Sequence, residues 1–292
     1  MSGVDASRLD AQAVRRAAER AATSHDAHAV LHARIQAELL SRLDLLAFEP
    51  GVVVDLGCRT GEATRLLRRR WRRARVVAVD LAPAMLMAAR ARQSWFGRFD
   101  RVCADPLHLP FASASVDLVY SNLWMQWSVD LDATLLEVRR ALNLRGYFTF
   151  TTLGPDTLQE LRAAWAQVDE SPHVHRFLDL HDIGDALVRA GFADPVMDVD
   201  RYTLTYPNAR ALMQELRGLG AENALAARAR GLTGRARLAG LEAACARSAD
   251  GDGRIPATVE VVYGQAWCPG ATPPVRGRRG ETVVSLDRLR RR

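Results

Sequence analysis

Hydrophobic and polar positions alternate in blocks along the first half of the chain, and each block has the length of a strand or a helix. The runs Val52–Val54 and Val76–Val79 are rich in β-branched residues, which favour strands, and helical spacing of apolar residues follows each run. Further strand patterns lie at 101–105, 116–122 and 147–153. This alternation predicts an α/β fold with a doubly wound, mostly parallel sheet.

The pattern differs at both ends of this alternating region. Residues 14–46 carry apolar positions at helical spacing, interrupted near Thr23–Asp26 by residues typical of a helix N-terminus. Beyond Leu153 the sequence predicts helices at 157–168 and 183–190, the latter closed by Gly191, and long strands at 195–206 and 258–267. Two long strands separated by helical sequence favour an antiparallel last strand beside a helical cap.

These patterns divide the chain into segments with different expected roles. We expect, in order, N-terminal helices that cover the site (1–50), the α/β core (51–206), an inserted helical cap (207–253), the last core strand (254–268) and a basic, mobile tail (269–292). The ligand site should lie in the core, because parallel sheets bind ligands at the carboxyl ends of their strands.

Composition excludes several classes of protein. Hydrophobic residues make up 48% of the chain and charged residues 25%, and no apolar run approaches the roughly 18 residues of a membrane helix. The first ten residues lack a basic segment followed by an apolar core, so we expect no signal peptide and a cytoplasmic location. The 4 cysteines form no C-x-x-C pair, which argues against a zinc site and a disulfide scaffold.

Positive charge is concentrated in two segments. The net charge is +6, and most of it lies in the tail from Cys268 to Arg292, so the rest of the chain is nearly neutral. The Arg-rich segment 65–75 keeps Leu66, Leu67 and Trp71 for an apolar helix face, and a solvated helix is favoured over a nucleic-acid surface because no stacking aromatic residues are interleaved. All 40 basic residues are Arg, which excludes a mechanism that needs lysine.

The candidate chemistry begins with the turn after the first strand. Asp55, Gly57 and Gly61 mark a tight strand-to-helix turn whose backbone can approach a ligand, and whose N–H groups favour a carboxylate or phosphate. Asp55 is placed to hold a cationic group or to fix the loop. Asp80 ends the next strand about 20 positions later, where a carboxylate can bind the two hydroxyl groups of a ribose. A purely structural glycine turn is the alternative.

Two further polar residues end the third and fourth strands. Asp105 could accept the amino group of a purine, although an N-cap or turn role is the alternative. Asn122 ends the fourth strand. The carboxyl ends of parallel strands meet at one edge, so we expect both residues beside Gly57 and Asp80.

Several segments identify a family. D-L-G-C-x-T-G, C-A-D-P-L-H-L-P-F, D-L-V-Y-S-N-L-W-M-Q-W, T-L-G-P-D-T-L-Q-E-L-R, H-D-I-G-D-A-L-V-R-A-G-F and I-P-A-T-V-E-V-V-Y-G-Q-A-W resemble class I S-adenosylmethionine methyltransferases with a Rossmann-like sheet. More narrowly, they resemble the malonyl-acyl-carrier-protein O-methyltransferases of biotin synthesis. The resemblance implies methylation of the free carboxyl group of a malonyl thioester, with S-adenosyl-L-methionine as co-substrate.

The resemblance also implies roles for individual residues. Asp55, Gly57 and Gly61 would hold the methionine part of the cofactor, and its ribose and adenine would contact Asp80, Leu81, Ala104, Asp105 and Leu107. Substrate placement would fall to His25, Asn122, Gln126 and Trp127, and Asn122 would also line the cofactor site. No general base is expected, because a malonyl carboxylate is already ionised near pH 7 and can attack a sulfonium methyl group directly.

Three positions depart from the family pattern. The chain has Arg59 where the family usually has Gly, Ala18 where it has an aromatic residue, and His25 where it has Tyr. We expect the Arg59 backbone N–H to serve the loop while its guanidinium group points away from the cofactor, to solvent or a neighbouring acid.

No metal is expected. The His173 and His175 pair lies on a loop without nearby acidic or Cys ligands, which favours a structural role.

The implied partner is the malonyl form of an acyl-carrier protein, or malonyl-coenzyme A, with no nucleic acid and no membrane. An acidic carrier would dock on arginines beside the pocket, either Arg139, Arg140 and Arg145 or Arg210 and Arg217. Two rival functions remain. The late motifs are also similar to a related arginine hydroxylase that assists respiratory complex I assembly, and the departures at Ala18, His25 and Arg59 would suit a non-catalytic binding protein of the same fold.

Overall fold

A single twisted sheet forms the centre of the molecule. The computed structural model describes residues 8–45, 49–95 and 97–270, so most of the basic tail lies outside the described residues. The seven strands of the sheet are β1 (Val52–Leu56), β2 (Arg75–Asp80), β3 (Asp100–Cys103), β4 (Val116–Ser121), β5 (Leu142–Leu153), β6 (Ala193–Tyr206) and β7 (Ile255–Trp267).

The strand order confirms a doubly wound sheet with an antiparallel last strand. The order is β3-β2-β1-β4-β5-β7-β6; β1 to β5 pair in parallel, whereas β7 is antiparallel to both of its neighbours. β5 begins at Leu142, five residues before the predicted Tyr147. All parallel strands end at the same edge, which we call the carboxyl edge.

Helices cover both faces and the carboxyl edge. In chain order they are α1 (Ala11–Ala21), α2 (His25–His28), α3 (Val30–Arg42), α4 (Glu62–Arg70), α5 (Pro83–Ala91), α6 (Leu131–Ala141), α7 (Gln159–Trp165), α8 (Leu180–Arg189), α9 (Ala209–Gly218) and α10 (Arg235–Ala246). Short 3-10 turns follow α3 and β4. No helix within the described ranges is both long and apolar enough to cross a membrane.

Local sequence explains where these helices begin and end. Asp10, Asp130 and Asn208 each accept hydrogen bonds from the first turn of α1, α6 or α9, and Pro83 occupies the start of α5 as predicted. α8 ends at Arg189, and Gly191 closes it with a φ of +84° that suits glycine, as predicted.

The core has one layer on each face of the sheet. Alternating β1 residues bury in opposite layers, with Val54 against α6 and α8 and Val53 against α3, α4 and α5. A third apolar cluster joins Leu161 of α7, Leu212 of α9 and Leu241 of α10 to the ends of β6 and β7. α9 and α10, which belong to the predicted 207–253 cap, therefore pack with α7 at the carboxyl edge.

Helix α9 packs closely against the N-terminal segment at Gly218. A Cβ atom on Gly218 of α9 would lie 2.1 Å from the His28 ring, and Ser24 Oγ donates to the Gly218 carbonyl oxygen at 3.1 Å. Only glycine allows this packing. Segments from the two ends of the chain thereby meet above the carboxyl edge.

Candidate functional site

Two adjoining cavities open at the carboxyl edge. The smaller one lies beyond the ends of β2 and β3, and it is covered by Val14 and Ala18 of α1 and by Leu219 and Gly220 after α9. The larger one, of about 310 Å³, lies between α2, α3, α7, α9 and the 173–177 loop. Arg59, Trp127 and Leu219 line both cavities and form the boundary between them.

Asp80 supplies a buried carboxylate to the smaller cavity. It is 6% exposed, and its two oxygens accept hydrogen bonds from the backbone N–H groups of Arg59 and Ala82, each at 2.9 Å. Burial raises the pKa of Asp80. A carboxylate has about four lone-pair sites, so Asp80 keeps acceptor capacity for a ligand in the cavity that it lines.

Three other predicted cofactor residues, Leu81, Asp105 and Leu107, line the same cavity. Asp105 Oδ1 accepts the Leu107 backbone N–H at 3.0 Å, so Asp105 also makes the turn that was its alternative role. Ala104 is not part of the lining. Its N–H group donates to the Asp80 carbonyl oxygen, which continues the pairing of β2 with β3.

The glycine turn lies behind the cavity wall, contrary to the expectation that it would offer free N–H groups to a ligand. The N–H groups of Gly57 and Cys58 both donate to the Val79 carbonyl oxygen, at 2.8 and 3.0 Å. Gly57 has a φ of +75°, and a Cβ atom there would lie 2.1 Å from the Trp124 side chain. Glycine is therefore required at position 57 because the Trp124 indole occupies the space of a side chain. Trp124 was not among the predicted site residues.

Gly61 and Asp55 also have structural partners. A Cβ atom on Gly61 would lie 2.7 Å from that of Ala89, so Gly61 allows α5 to approach the turn. Asp55 is 1% exposed and accepts a hydrogen bond from Thr64 Oγ1 at 2.5 Å. Burial, together with the charge of Asp80, raises the pKa of Asp55 to about 7. Of its two predicted roles, fixing the loop is the one that these contacts support.

Arg59 departs most from its predicted orientation. Its backbone N–H serves Asp80 as expected, but its guanidinium group turns inward to the boundary of the two cavities instead of reaching solvent or an acid. Nη2 donates to the Leu123 carbonyl oxygen at 2.6 Å, and Nη1 lies 3.2 Å from His25 Nε2. Arg59 and His25, two of the three positions that depart from the family pattern, are therefore in contact.

His25 and Asn122 do not line either cavity, which corrects their predicted direct roles. His25 is 4% exposed and lies behind Arg59; burial and the Arg59 charge lower the pKa of His25 to about 3, so its ring is neutral. Asn122 is turned into the protein, where its Oδ1 accepts from Thr151 Oγ1 at 2.8 Å and its Nδ2 donates to the His32 carbonyl oxygen at 3.4 Å.

Gln126 and Trp127, the other two residues predicted to place the substrate, line the larger cavity. The Gln126 amide donates to the Leu123 carbonyl oxygen at 2.8 Å, and the Trp127 ring lies 5.4 Å from that of His175. Positive φ angles of 50° at Leu123 and 56° at Leu158 also occur in this cavity wall. Left-handed backbone at non-glycine residues is strained and often marks functional sites.

The His173 and His175 rings have packing roles. His173 stacks on Trp165 with ring centroids 3.6 Å apart and lies 2.8 Å from Asp169, while burial lowers the pKa of His175 to about 4. In residues 8–45, 49–95 and 97–270, no group of three or more His, Cys, Asp or Glu side chains is arranged to hold a metal ion.

A third, polar cavity adjoins the larger one and shares Glu222 and Asn223 with it. We call the exposed arginines around the two cavities the arginine rim; it consists of Arg16, Arg20, Arg217 and Arg237. Arg20 and Arg217 both pair with Glu222.

Of the predicted docking residues, Arg217 belongs to the rim and Arg210 pairs with Glu242 on α10. Arg139, Arg140 and Arg145 lie at the edge of the sheet opposite the two cavities. They flank the start of β5 because α6 runs back to the amino edge of the sheet.

Comparisons with known proteins agree with the fold. A family model described as a methyltransferase domain matches residues 54–150. The YcgJ protein of Bacillus subtilis has a TM-score of 0.57 at 14% identity, covering 80% of this chain and 98% of that one. The cyclase SpnF has a TM-score of 0.50 at 17% identity, covering 81% of each chain, so the fold alone does not decide the chemistry.

Sequence relatives are much closer. A protein of Halorhodospira halophila named malonyl-acyl-carrier-protein O-methyltransferase is 47% identical over 100% of this chain and 99% of its own length. A protein of the same name from Laribacter hongkongensis is 48% identical over 95% of this chain and 96% of its own.

Proposed function

The chain belongs to the malonyl-acyl-carrier-protein O-methyltransferase family of class I methyltransferases, and from this membership we propose that it methylates the free carboxyl group of a malonyl thioester, an early step in making the pimeloyl chain of biotin. S-adenosylmethionine is the co-substrate. The observation that carries the proposal is the pair of adjoining cavities, which offers one site for each substrate and a boundary at which they can react.

The smaller cavity is suited to the adenosine part of the co-substrate. Asp80 supplies a buried carboxylate with spare acceptor capacity for ribose hydroxyls, and Asp105 supplies a second acceptor beside the apolar side chains of Leu81 and Leu107. When bound there, S-adenosylmethionine supplies an electrophilic methyl group on a sulfonium. α1 would hold the ligand in place and exclude water.

The chemistry needs placement more than acid or base groups. The attacking carboxylate is ionised near pH 7, and two histidines near the boundary, the buried His25 and the half-buried His32, have lowered pKa values that leave them neutral. Alignment and desolvation of the reacting groups then supply the rate, and such effects reach about 7–11 kcal/mol in favourable cases. Gln126 and Trp127, in the wall of the larger cavity, are the proposed placing residues.

The larger cavity is suited to the malonyl end of a pantetheine thioester. Its lining is mainly apolar, and the arginine rim lies where a carrier would approach. An acyl-carrier protein that presents carboxylates would be attracted to this rim, and so would the phosphate of its pantetheine arm. We accordingly propose the N-terminal helices and the 207–253 cap as the segments that cover the substrates and receive the carrier.

The test is an assay of the purified protein with malonyl-acyl-carrier protein and S-adenosylmethionine. We expect the malonyl group to gain the mass of one methylene group, and acetyl-acyl-carrier protein, which lacks the free carboxyl group, to remain unchanged. Malonyl-coenzyme A in a parallel reaction measures the contribution of the carrier. Binding of S-adenosylmethionine without methylation of any malonyl thioester would contradict the proposal and favour the non-catalytic alternative.

A further inference from the structure

The guanidinium group of Arg59 lies at the boundary of the two cavities without a counter-ion. Its hydrogen bonds go to main-chain oxygens, at 2.6 Å to Leu123 and 3.4 Å to Leu219, and to the His25 ring. Its Nε atom is buried and has no hydrogen-bond partner among the described residues. Across residues 8–45, 49–95 and 97–270, the ion pairs closer than 4.0 Å include none to Arg59.

The neighbouring charged groups are all engaged elsewhere. Arg217, in the wall of the larger cavity, pairs with Glu222, and Glu215 accepts from the Tyr206 hydroxyl group at 2.8 Å. The Asp80 carboxylate accepts the Arg59 and Ala82 backbone N–H groups and lines the smaller cavity, and it forms no hydrogen bond to the Arg59 guanidinium group. Among the described residues, no acid therefore forms an ion pair with the cation at the boundary of the two cavities, although the charge of Asp80 acts on it from the smaller cavity.

His25 does not neutralise this charge either. Its ring is buried and neutral, so Nε2 can accept one hydrogen bond from Arg59 but supplies no negative charge. Arg59 is half-buried and its Nε atom is fully buried, so burial lowers the pKa of Arg59 and the charge of Asp80 only partly offsets this effect. An anionic ligand would remove this cost.

On the basis of the proposed function, we infer that Arg59 binds the free carboxylate of the malonyl substrate and holds it at the boundary where methyl transfer occurs. The smaller cavity already contains the carboxylates of Asp80 and Asp105, which disfavour a ligand carboxylate there. The larger cavity offers only Arg59 at its inner end. Guanidinium groups bind carboxylates through paired N–H donors, and a carboxylate bound in this way keeps further lone pairs on each oxygen for attack.

The inference is tested by binding rather than by turnover alone. Calorimetry would measure the affinities of wild type, Arg59→Gln, Arg59→Gly and Arg59→Lys for malonyl-coenzyme A, acetyl-coenzyme A and S-adenosylmethionine. We expect wild type to prefer the malonyl over the acetyl thioester, and both neutral variants to lose about ten-fold or more of that preference. Arg59→Lys should keep part of it, and affinity for S-adenosylmethionine should stay within about two-fold.

Arg65→Gln provides the matched control. Arg65 lies on α4, pairs with Glu62 and is not part of either cavity wall, so the same loss of charge there should leave all three affinities unchanged. Thermal unfolding identifies any variant that fails to fold. If Arg59→Gln fails, Arg59→Gly still tests the inference, because the φ of 51° at position 59 suits glycine.

The outcomes separate this inference from the proposed function. If wild type methylates malonyl thioesters but the neutral variants keep its malonyl preference, Arg59 is not the carboxylate site. If these variants lose affinity for S-adenosylmethionine instead, Arg59 binds the carboxylate of the co-substrate and the inference is wrong. Failure of wild type to methylate would overturn the proposed function itself.

Discussion

The two cavities differ in how the chain builds them. The smaller one takes its polar groups from short segments that directly follow β2 and β3, whereas the larger one combines α2 and α3 with α7, α9 and the 173–177 loop. The smaller cavity depends on a general feature of parallel sheets, namely that the carboxyl ends of their strands lie at one edge. The larger cavity depends on helices from both ends of the chain. Changes in the smaller cavity should therefore affect the co-substrate, and changes in the larger cavity or its rim should affect the malonyl partner.

The largest expected effect is a loss of co-substrate affinity when Asp80 of the smaller cavity is replaced. Asp80→Ala removes an acceptor that we expect to make two charge-assisted hydrogen bonds to ribose, and S-adenosylmethionine affinity should fall about 100-fold or more. Affinity for malonyl-coenzyme A should change little. Asp100→Ala, which removes an exposed carboxylate paired with Arg75, is the control for calorimetry. Unchanged co-substrate affinity in folded Asp80→Ala would remove the ribose assignment.

The next effect concerns the packing of Gly57 against Trp124 behind the cavity wall. Gly57→Ala must adopt a positive φ and displace Trp124, whereas Gly191→Ala has the same backbone cost with no atom within 4 Å of the new Cβ. We expect Gly191→Ala to lower the free energy of unfolding by about 1–2 kcal/mol, and Gly57→Ala by about 1–3 kcal/mol more. Urea unfolding measures both. Equal losses would show that Trp124 moves aside freely.

A smaller effect appears in the pH dependence of stability through His25. The pKa of His25 is about 3 in the folded protein, and its ordinary value, which applies to the unfolded chain, is 6.5. Between these pH values the unfolded chain therefore binds one more proton at His25 than the folded protein does. The contribution of neutral His25 is therefore fully present above pH 6.5 and is lost as pH falls, by about 2 kcal/mol between pH 6.5 and 5.

Other groups titrate in the same range, so the His25 contribution must be measured by difference. His32 and His175 also have lowered pKa values and act in the same direction, whereas Asp55, with its raised pKa, acts in the opposite direction. We expect the unfolding free energy of His25→Asn to fall less than that of wild type from pH 6.5 to 5. Parallel curves for the two proteins would mean that His25 is protonated in the folded state or exposed.

The smallest effect tests the arginine rim. Arg16→Gln/Arg217→Gln should raise the apparent KM for malonyl-acyl-carrier protein about three-fold at low salt, and the difference should shrink as salt shortens the Debye length to about 8 Å. Arg139→Gln/Arg145→Gln removes the same charge at the opposite edge of the sheet and is the matched control. Equal KM values for the two double variants would remove the rim from carrier docking.

Sequence reasoning was most reliable where chemistry and local structure coincide. Asp80 follows a β-branched run, and Leu81, Asp105 and Leu107 follow strand ends in the same way, so their convergence was predictable. Gln126 and Trp127 line the larger cavity, and their predicted role in substrate placement stays a prediction. The packing of Trp124 against Gly57 was not predictable, because a short glycine loop has the same sequence whether a ligand or an indole occupies the adjoining space.

The sequence by itself determined the alternation of strands and helices, the antiparallel last strand, the family and the acidic residues at strand ends, because these depend on short-range periodicity and motifs. Tertiary structure alone decided which side chains face the cavities. Leu219 reaches the boundary across 160 residues from Arg59, and His25 lies behind Arg59 although 34 residues separate them. Such contacts are set by how helices from distant segments pack against one another, and no local pattern in the chain encodes that packing.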